Sequence, residues 1–283
     1  MNERLGFLAA LQEGTVAERR ITRRIFADWL MDHGDRAEAD RQRILGEEPY
    51  RNALVMEFVH LPPGTFWMGG ENGICGTRQV TIEHDFYIGI YPVTQGEWTE
   101  VMGSNPSYFQ KGKGGADKIA GVSHADLKRF PVETVSWNDC QTFLNRLNEK
   151  CNEDGWVYRL PTEAEWEYSC RGGATSQADC AWNYYFQTPT NTLTPKLANF
   201  SESKLKRPTK VGLYPANALG IYDMHANVWE WCQNLHSNGT YRIRRGGSWV
   251  NSAGYCRAAY WDRYGPSSSN RYLGLRVARV SMG

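Results

Sequence analysis

The chain reads as an α+β protein: a small helical segment, then one loop-rich domain of short strands and a few helices. Three observations carry this expectation. Helix starts are marked by a hydroxyl residue three positions ahead of a carboxylate. Strand-like runs are short and interrupted by many of the 28 glycines. No βαβ unit repeats, so a wound parallel sheet is not expected. With 283 residues there is chain enough for one large core and a small appended piece.

Residues 1–47 form the helical segment. Leu5, Phe7, Leu8 and Leu11 suggest a first short helix. Thr15 caps a second, in which Ile21, Ile25 and Trp29, with Phe26 and Leu30 beside them, make an apolar stripe at i, i+4, i+8. Gly34 ends it, and residues 36–45 form a third. Residues 48–54 read as a linker into a main domain at 55–283. Residues 55–59 and 65–68 flank Pro62, Pro63 and Gly64 and read as a hairpin, and 80–90 as a further strand. Thr94 with Glu97, Ser136 with Asp139 and Thr162 with Glu165 then open three helices. In such a capping box each side chain satisfies an orphaned backbone N–H, and the acid also suits the helix dipole. Asp139 is shorter than the usual Glu or Gln, which makes its box the weakest. The helix it opens continues through Phe143, Leu144 and Leu147. Residues 172–220 are loop, and strands return from 221.

Net charge is +1, with no basic stripe, so nucleic acid and anionic membrane are not the expected partners. No apolar run approaches the roughly 20 residues a bilayer requires. The start, Met1-Asn2-Glu3-Arg4, leads into charged, periodic sequence rather than a signal-peptide core, and a cytoplasmic protein is expected. The seven cysteines, Cys75, Cys140, Cys151, Cys170, Cys180, Cys232 and Cys256, include no C-x-x-C pair and no zinc spacing. In a reducing compartment, all but Cys256 are expected to act as small buried hydrophobes.

An ordered set of segments carries a family resemblance. They are Leu61-Pro62-Pro63-Gly64-Thr65-Phe66-Trp67-Met68-Gly69, Tyr91-Pro92-Val93-Thr94-Gln95 and Pro131-Val132-Glu133-Thr134-Val135-Ser136-Trp137. Further along come Tyr158-Arg159-Leu160-Pro161-Thr162-Glu163-Ala164-Glu165-Trp166-Glu167, Asn227-Val228-Trp229-Glu230-Trp231, Arg245-Gly246-Gly247-Ser248-Trp249 and Gly274-Leu275-Arg276. Residues 55–279 thereby resemble the formylglycine-generating-enzyme (sulfatase-modifying factor) family, which implies a C-type-lectin-like fold. Arg24-Ile25-Phe26-Ala27-Asp28-Trp29-Leu30, followed by His33-Gly34-Asp35, resembles a short bacterial repeat-companion module of no implied chemistry.

The family's oxidase activity converts a substrate cysteine to formylglycine with copper(I) and oxygen, and implies two thiolates spaced Cys-x₄-Cys after the Gly-Gly-Ser element. Soft Cu(I) is well held by two sulfurs, which one cysteine cannot supply. Here Cys256 stands alone, with Tyr260, Trp261 and Asp262 where a second sulfur would sit. Copper is therefore not expected, and Cys256 is a catalytic candidate only if the oxidase alternative holds. Nor do His33, His60, His84, His124, His225 and His236 have the spacing of a three-histidine iron site.

The expected function is instead lectin-like, non-catalytic recognition of a protein or peptide through the C-terminal stretch. Its candidate binding residues are Trp249, Asn251, Tyr255, Arg257, Tyr260, Trp261, Asp262, Tyr264, Ser268, Asn270 and Tyr272. Tyr and Trp offer large contact area at small entropic cost, and Ser, Asn and Gly adaptable polar contacts. The stretch, set between Arg245-Gly246-Gly247-Ser248-Trp249, Cys256-Arg257-Ala258-Ala259 and Gly274-Leu275-Arg276, also resembles the variable segment of retroelement-diversified proteins. Finally, the resemblance implies one structural Ca²⁺ on side-chain oxygens of Asp223 and Glu230 and the carbonyls of Ala226 and Val228. Hard oxygen ligands of this kind suit that ion. A second family site would begin at Asn199 and Phe200, but its acidic partner is missing.

Overall fold

In a computed structural model, which describes residues 3–237 and 239–283, every helix start named above is capped as the sequence expects. The Thr94 amide donates to Glu97 at 2.7 Å and the Glu97 amide returns to the Thr94 hydroxyl at 3.2 Å. Ser136 and Asp139 make the same exchange at 2.8 and 3.1 Å, so the shorter acid closes its box fully. Thr162 with Glu165 and Thr15 with Glu18 complete the set. The helices are α1 (Glu3–Ala10), α2 (Val16–Asp32), α3 (Arg36–Leu45), α4 (Gln95–Met102), α5 (His124–Lys128), α6 (Trp137–Cys151) and α7 (Glu163–Cys170). The apolar face of α6, Cys140, Phe143, Leu144 and Leu147, is buried, and Phe143 stacks on Trp98 of α4 at 4.8 Å.

Eleven short strands form three sheets among the described residues. The first has the order β1 (Tyr50–Arg51), β2 (Glu57–Leu61), β5 (Phe86–Gly89), β11 (Ala278–Ser281), β6 (Trp156–Arg159), all antiparallel. The second has the order β10 (Leu273–Leu275), β7 (Trp229–Leu235), β8 (Arg242–Arg245), β9 (Trp261–Tyr264), with β10 and β7 parallel. The third pairs β3 (Gly64–Glu71) with β4 (Ile74–Ile82). Residues 172–220 hold short 3₁₀ turns and one isolated antiparallel bridge between Tyr184 and Thr190. Aromatic side chains fill the space between sheets and helices: Trp166, Trp229, Trp231, Tyr158 and Tyr168 are fully buried, together with Arg245 and Arg276.

Several sequence expectations are corrected. Residues 55–68 are not a hairpin, because β2 pairs with β5 (Leu61 opposite Phe86) and β3 with β4 (Gly64 opposite Ile82). Pro62 and Pro63 lack the N–H that a ladder needs, and they turn the corner between two sheets. Residues 80–90 are the end of β4 and all of β5, parted at Glu83, His84 and Asp85. The 48–54 linker contains β1, and Asn52 closes the following turn by accepting from the amides of Leu54 and Met56. In α2, Ile21 and Ile25 face solvent at 51% and 54% exposure, whereas Arg19, Arg23, Phe26, Ala27 and Leu30 are buried. Apolar spacing offered two adjoining stripes, and packing against α3 chose the one holding Phe26 and Leu30. Cys140, Cys170, Cys180, Cys232 and Cys256 are buried, but Cys75 and Cys151 are only half-buried; all seven are free thiols.

The helical segment is joined to the main domain at specific points. Leu45 enters the main core, and Arg41 donates to the Tyr168 hydroxyl at 2.8 Å and to the Gly173 carbonyl. His60 lies between Glu47 (2.7 Å) and Asp85 (2.6 Å) and stacks flat on Tyr87. No helix among the described residues is long and apolar enough to cross a membrane.

Candidate functional site

The Gly246-Gly247 step exists because the chain must cross directly over Cys256. Gly247 has φ +70°, and a Cβ there would lie 2.6 Å from the Cys256 sulfur. Cys256 ends a 3₁₀ turn, Ala253–Cys256, and is fully buried in a cluster with Tyr184, Phe186, Phe200 and Ala226. Burial pushes its thiol up to about 12, so it is a protonated thiol and a poor nucleophile or metal ligand. Cys180 and Cys232 belong to a different core cluster; Cys170 belongs to it too, and its sulfur lies 3.6 Å from His225 Nε2, on the other side of that ring from Cys256. His225 fills the space beside Cys256. Its Nε2 accepts from the Tyr185 amide at 2.8 Å, so Nδ1 carries the hydrogen donated to the Cys256 carbonyl at 2.8 Å. The desolvated ring is held neutral, pushed down to about 4 by burial. One sealed, protonated sulfur does not fit copper(I), and Trp261, five residues on, opens β9.

The candidate binding residues divide into framework and surface. Trp249 is a core residue, 7% exposed, packed edge-on against Phe109 at 5.6 Å. Its amide reaches the Asn227 carbonyl, tying the Gly-Gly-Ser turn to the loop before β7. Asn251 accepts from the Trp229 indole (2.9 Å) and the Ser248 hydroxyl (2.6 Å). Asn270 and Ser268 close backbone turns, Tyr272 is half-buried against the core, and Arg257 is pinned by Glu71 of β3. These six are framework, because their partners lie within the protein.

Of the remaining five, Tyr255 and Trp261 face outward, while Tyr260, Asp262 and Tyr264 are half-buried beside them. Tyr255 and Trp261 are 45% and 43% exposed. Tyr255 meets Tyr260 edge-on at 5.0 Å. Asp262 and Tyr264 flank a residue the sequence reading missed, Arg244. Its guanidinium lies 4.8 Å from the Trp229 ring and 4.6 Å from the Tyr264 ring and binds Asp262 at 2.6 Å. Strand alternation explains the split. Tyr264 and Asp262 share one side of β9 with Arg244, while Trp261 and Arg263 turn to the other, near His236. The signal for Arg244 was present: Arg242 and Arg244 alternate along a strand beside an aromatic-rich segment, a pattern that favours cation–π stacking. On its own side, Trp261 overlooks a cavity of about 500 Å³ that Glu163, His236 and Arg245 also line.

The loop carrying the expected calcium ligands is held by other means. Glu230 is fully buried, with one carboxylate oxygen accepting from the Trp166 indole at 2.6 Å and from Arg276 at 3.0 Å. Its second oxygen accepts from Arg276 at 2.8 Å. Both oxygens are thus committed to a neutralising cation. Asp223 accepts from the Gly212 amide, and burial raises its carboxyl to about 6. The Ala226 amide donates to the Gly246 carbonyl and the Asn227 amide to the Asn199 carbonyl, and Asp223, Ala226 and Asn227 all have left-handed backbone. A site whose second carboxylate is already paired with Arg276 does not fit Ca²⁺ with the donors expected.

Comparison with known proteins agrees with this architecture. The profile of the Sulfatase-modifying factor enzyme 1-like domain matches residues 45–281. The chain is 33% identical over 248 positions to chaperone protein LppX of Paenibacillus barcinonensis, covering 71% of this chain and 82% of that protein. It is 27% identical over 315 positions to the formylglycine-generating enzyme of Mus musculus, covering 87% and 82%. Among solved structures, Treponema denticola variable protein 1 superposes with a TM-score of 0.65 at 25% identity, covering 82% of this chain and 98% of that one. The fold is thus shared by a formylglycine-generating enzyme and by a variable protein, and scaffold alone does not choose between their activities. The chain belongs to the family of sulfatase-modifying factor enzyme 1-like domains.

Proposed function

We propose that this chain is a non-catalytic recognition domain that holds a protein or peptide through the surface built on β9 and the turn before it. One observation carries the reading. Where the oxidase chemistry would need a pair of thiolates, the chain has a single sealed thiol followed by an aromatic surface on a rigid support. Arg244, clamped between Trp229 and Tyr264 and bonded to Asp262, fixes the Asp262 and Tyr264 side of that surface before any partner arrives, which lowers the entropic cost of binding. β9 is also the outer strand of its sheet, so an extended peptide could pair along it while Tyr255, Tyr260 and Trp261 contact its side chains.

Affinity capture from the native cell tests this. The wild type should retain a partner that the Tyr255→Ala/Tyr260→Ala/Trp261→Ala variant loses, with circular dichroism unchanged. Equal capture by both would remove the proposed surface. The oxidase alternative, favoured by the mouse relative, is tested with Cu(I), oxygen and a cysteine-containing peptide. Turnover that vanishes in Cys256→Ala would overturn the binding reading.

A further inference from the structure

A cavity of about 510 Å³ opens where the helical segment meets the main domain, between α2, α3 and the loops following α7. Arg23 and Arg41 line it from the helices, and Trp182 and Phe186 from the loops. Arg23 is 9% exposed, and the partner shown for its guanidinium is the neutral Gln42 amide oxygen at 2.8 Å. The partners of Arg41, the Tyr168 hydroxyl and the Gly173 carbonyl, are neutral too. Among the described residues neither arginine makes a salt bridge.

The nearby acids compensate only in part. Glu38 accepts from Gln42 and stands behind it, Asp179 is bonded to Ser176 on the exposed rim, and Arg171 already neutralises Glu167. Burial, with the charges of Arg41 and Arg19, outweighs the attraction of Glu38 and pushes Arg23 down to about 10. A buried cation facing a cavity without a counter-ion is destabilising unless an anion joins it. The volume lies within the range of small-molecule sites, and Trp182, 39% exposed, gives it an apolar wall.

We propose that this junction cavity binds a small organic oxyanion, its phosphate or carboxylate head on Arg23 and Arg41 and its apolar part against Trp182. The ligand would connect α2 and α3 to the main domain. The site is independent of the β9 surface.

Thermal unfolding of the full chain tests it, with phenyl phosphate and benzoate as probes and sodium chloride at matched ionic strength as control. At a hundredfold excess over Kd, a chain of this size should gain about 4 °C in Tm. Response to phenyl phosphate alone assigns a phosphate head, and response to both or to benzoate alone a carboxylate-tolerant one. Arg23→Met should raise the Tm without ligand, by removing the unpaired cation, and abolish the response; Arg41→Gln is the second variant should the first not fold. No probe-specific shift in the wild type, or an equal shift in the variant, overturns the proposal.

Discussion

Replacing Glu230 with Gln tests the claim that an internal ion pair, and not a metal, holds the loop before β7. Arg276 makes five hydrogen bonds from a fully buried position: two to Glu230 and one each to the carbonyls of Gly89, Ile90 and Tyr222. It thereby joins β7 to the end of β5 and to the loop holding Tyr222. Glu230→Gln keeps the shape but removes the counter-charge, and in either orientation it turns an amide NH₂ toward Arg276, and in one of them toward the Trp166 indole as well, both donors. Breaking a buried pair from one side costs about 3–5 kcal/mol. The unfolding entropy of a chain this size is about 0.6 kcal/mol per kelvin, so Tm should fall by about 5–8 °C. Differential scanning calorimetry in EDTA and in millimolar calcium gives the reading. A loss below about 1 kcal/mol, or a wild-type Tm that EDTA lowers as much as the substitution does, would refute the reasoning and restore the calcium reading.

Three other expectations follow from the same contacts. Trp249→Ala should cost about 3–5 kcal/mol as a core truncation, while Tyr255→Ala should stay within about 0.5 kcal/mol; urea unfolding compares them, and equal losses would contradict their assignment to core and surface. Cys256 should resist iodoacetamide in the native protein at pH 8, where its thiolate fraction is negligible, and react only in denaturant; peptide mass spectrometry reads the outcome. The folded pKa of His225, about 4, lies below the unfolded 6.5. Its share of stability is therefore full above pH 6.5 and lost as pH falls through about 4. Asp223, raised from 3.8 to about 6, acts oppositely, its share present at low pH and lost as pH rises through 6. His225→Gln should leave the Asp223 trend unopposed, making the substitution milder at pH 4 than at pH 7 by on the order of 3 kcal/mol. A pH-independent difference in unfolding free energy would show that His225 does not titrate as described.

Local chemistry was legible, and the choice among alternatives was not. A capping box is a contract within four residues, so Thr94, Ser136 and Thr162 announced their helices, even with the short Asp139. Pairing partners lie far along the chain. Residues 55–59 could have paired with 65–68, yet β2 took β5 and β3 took β4. The site shows the same division. A rich Tyr/Trp/Ser stretch predicted recognition, but whether a ring faces out depends on what sits across from it. Trp249 met Phe109 and went in; Tyr255 met only Tyr260 and stayed out.

By itself the sequence determined the family, the α+β class, the helix starts and the missing second sulfur, because these are properties of short ordered segments and of residue chemistry. Only the tertiary structure decided that Glu230 belongs to Arg276, that Arg244 braces the aromatic face, and that Arg23 and Arg41 line one cavity with neutral hydrogen-bond partners. The reason is desolvation. A charge in water is nearly indifferent to its neighbours, but a buried one is governed by its partner, and the partner is supplied by folding.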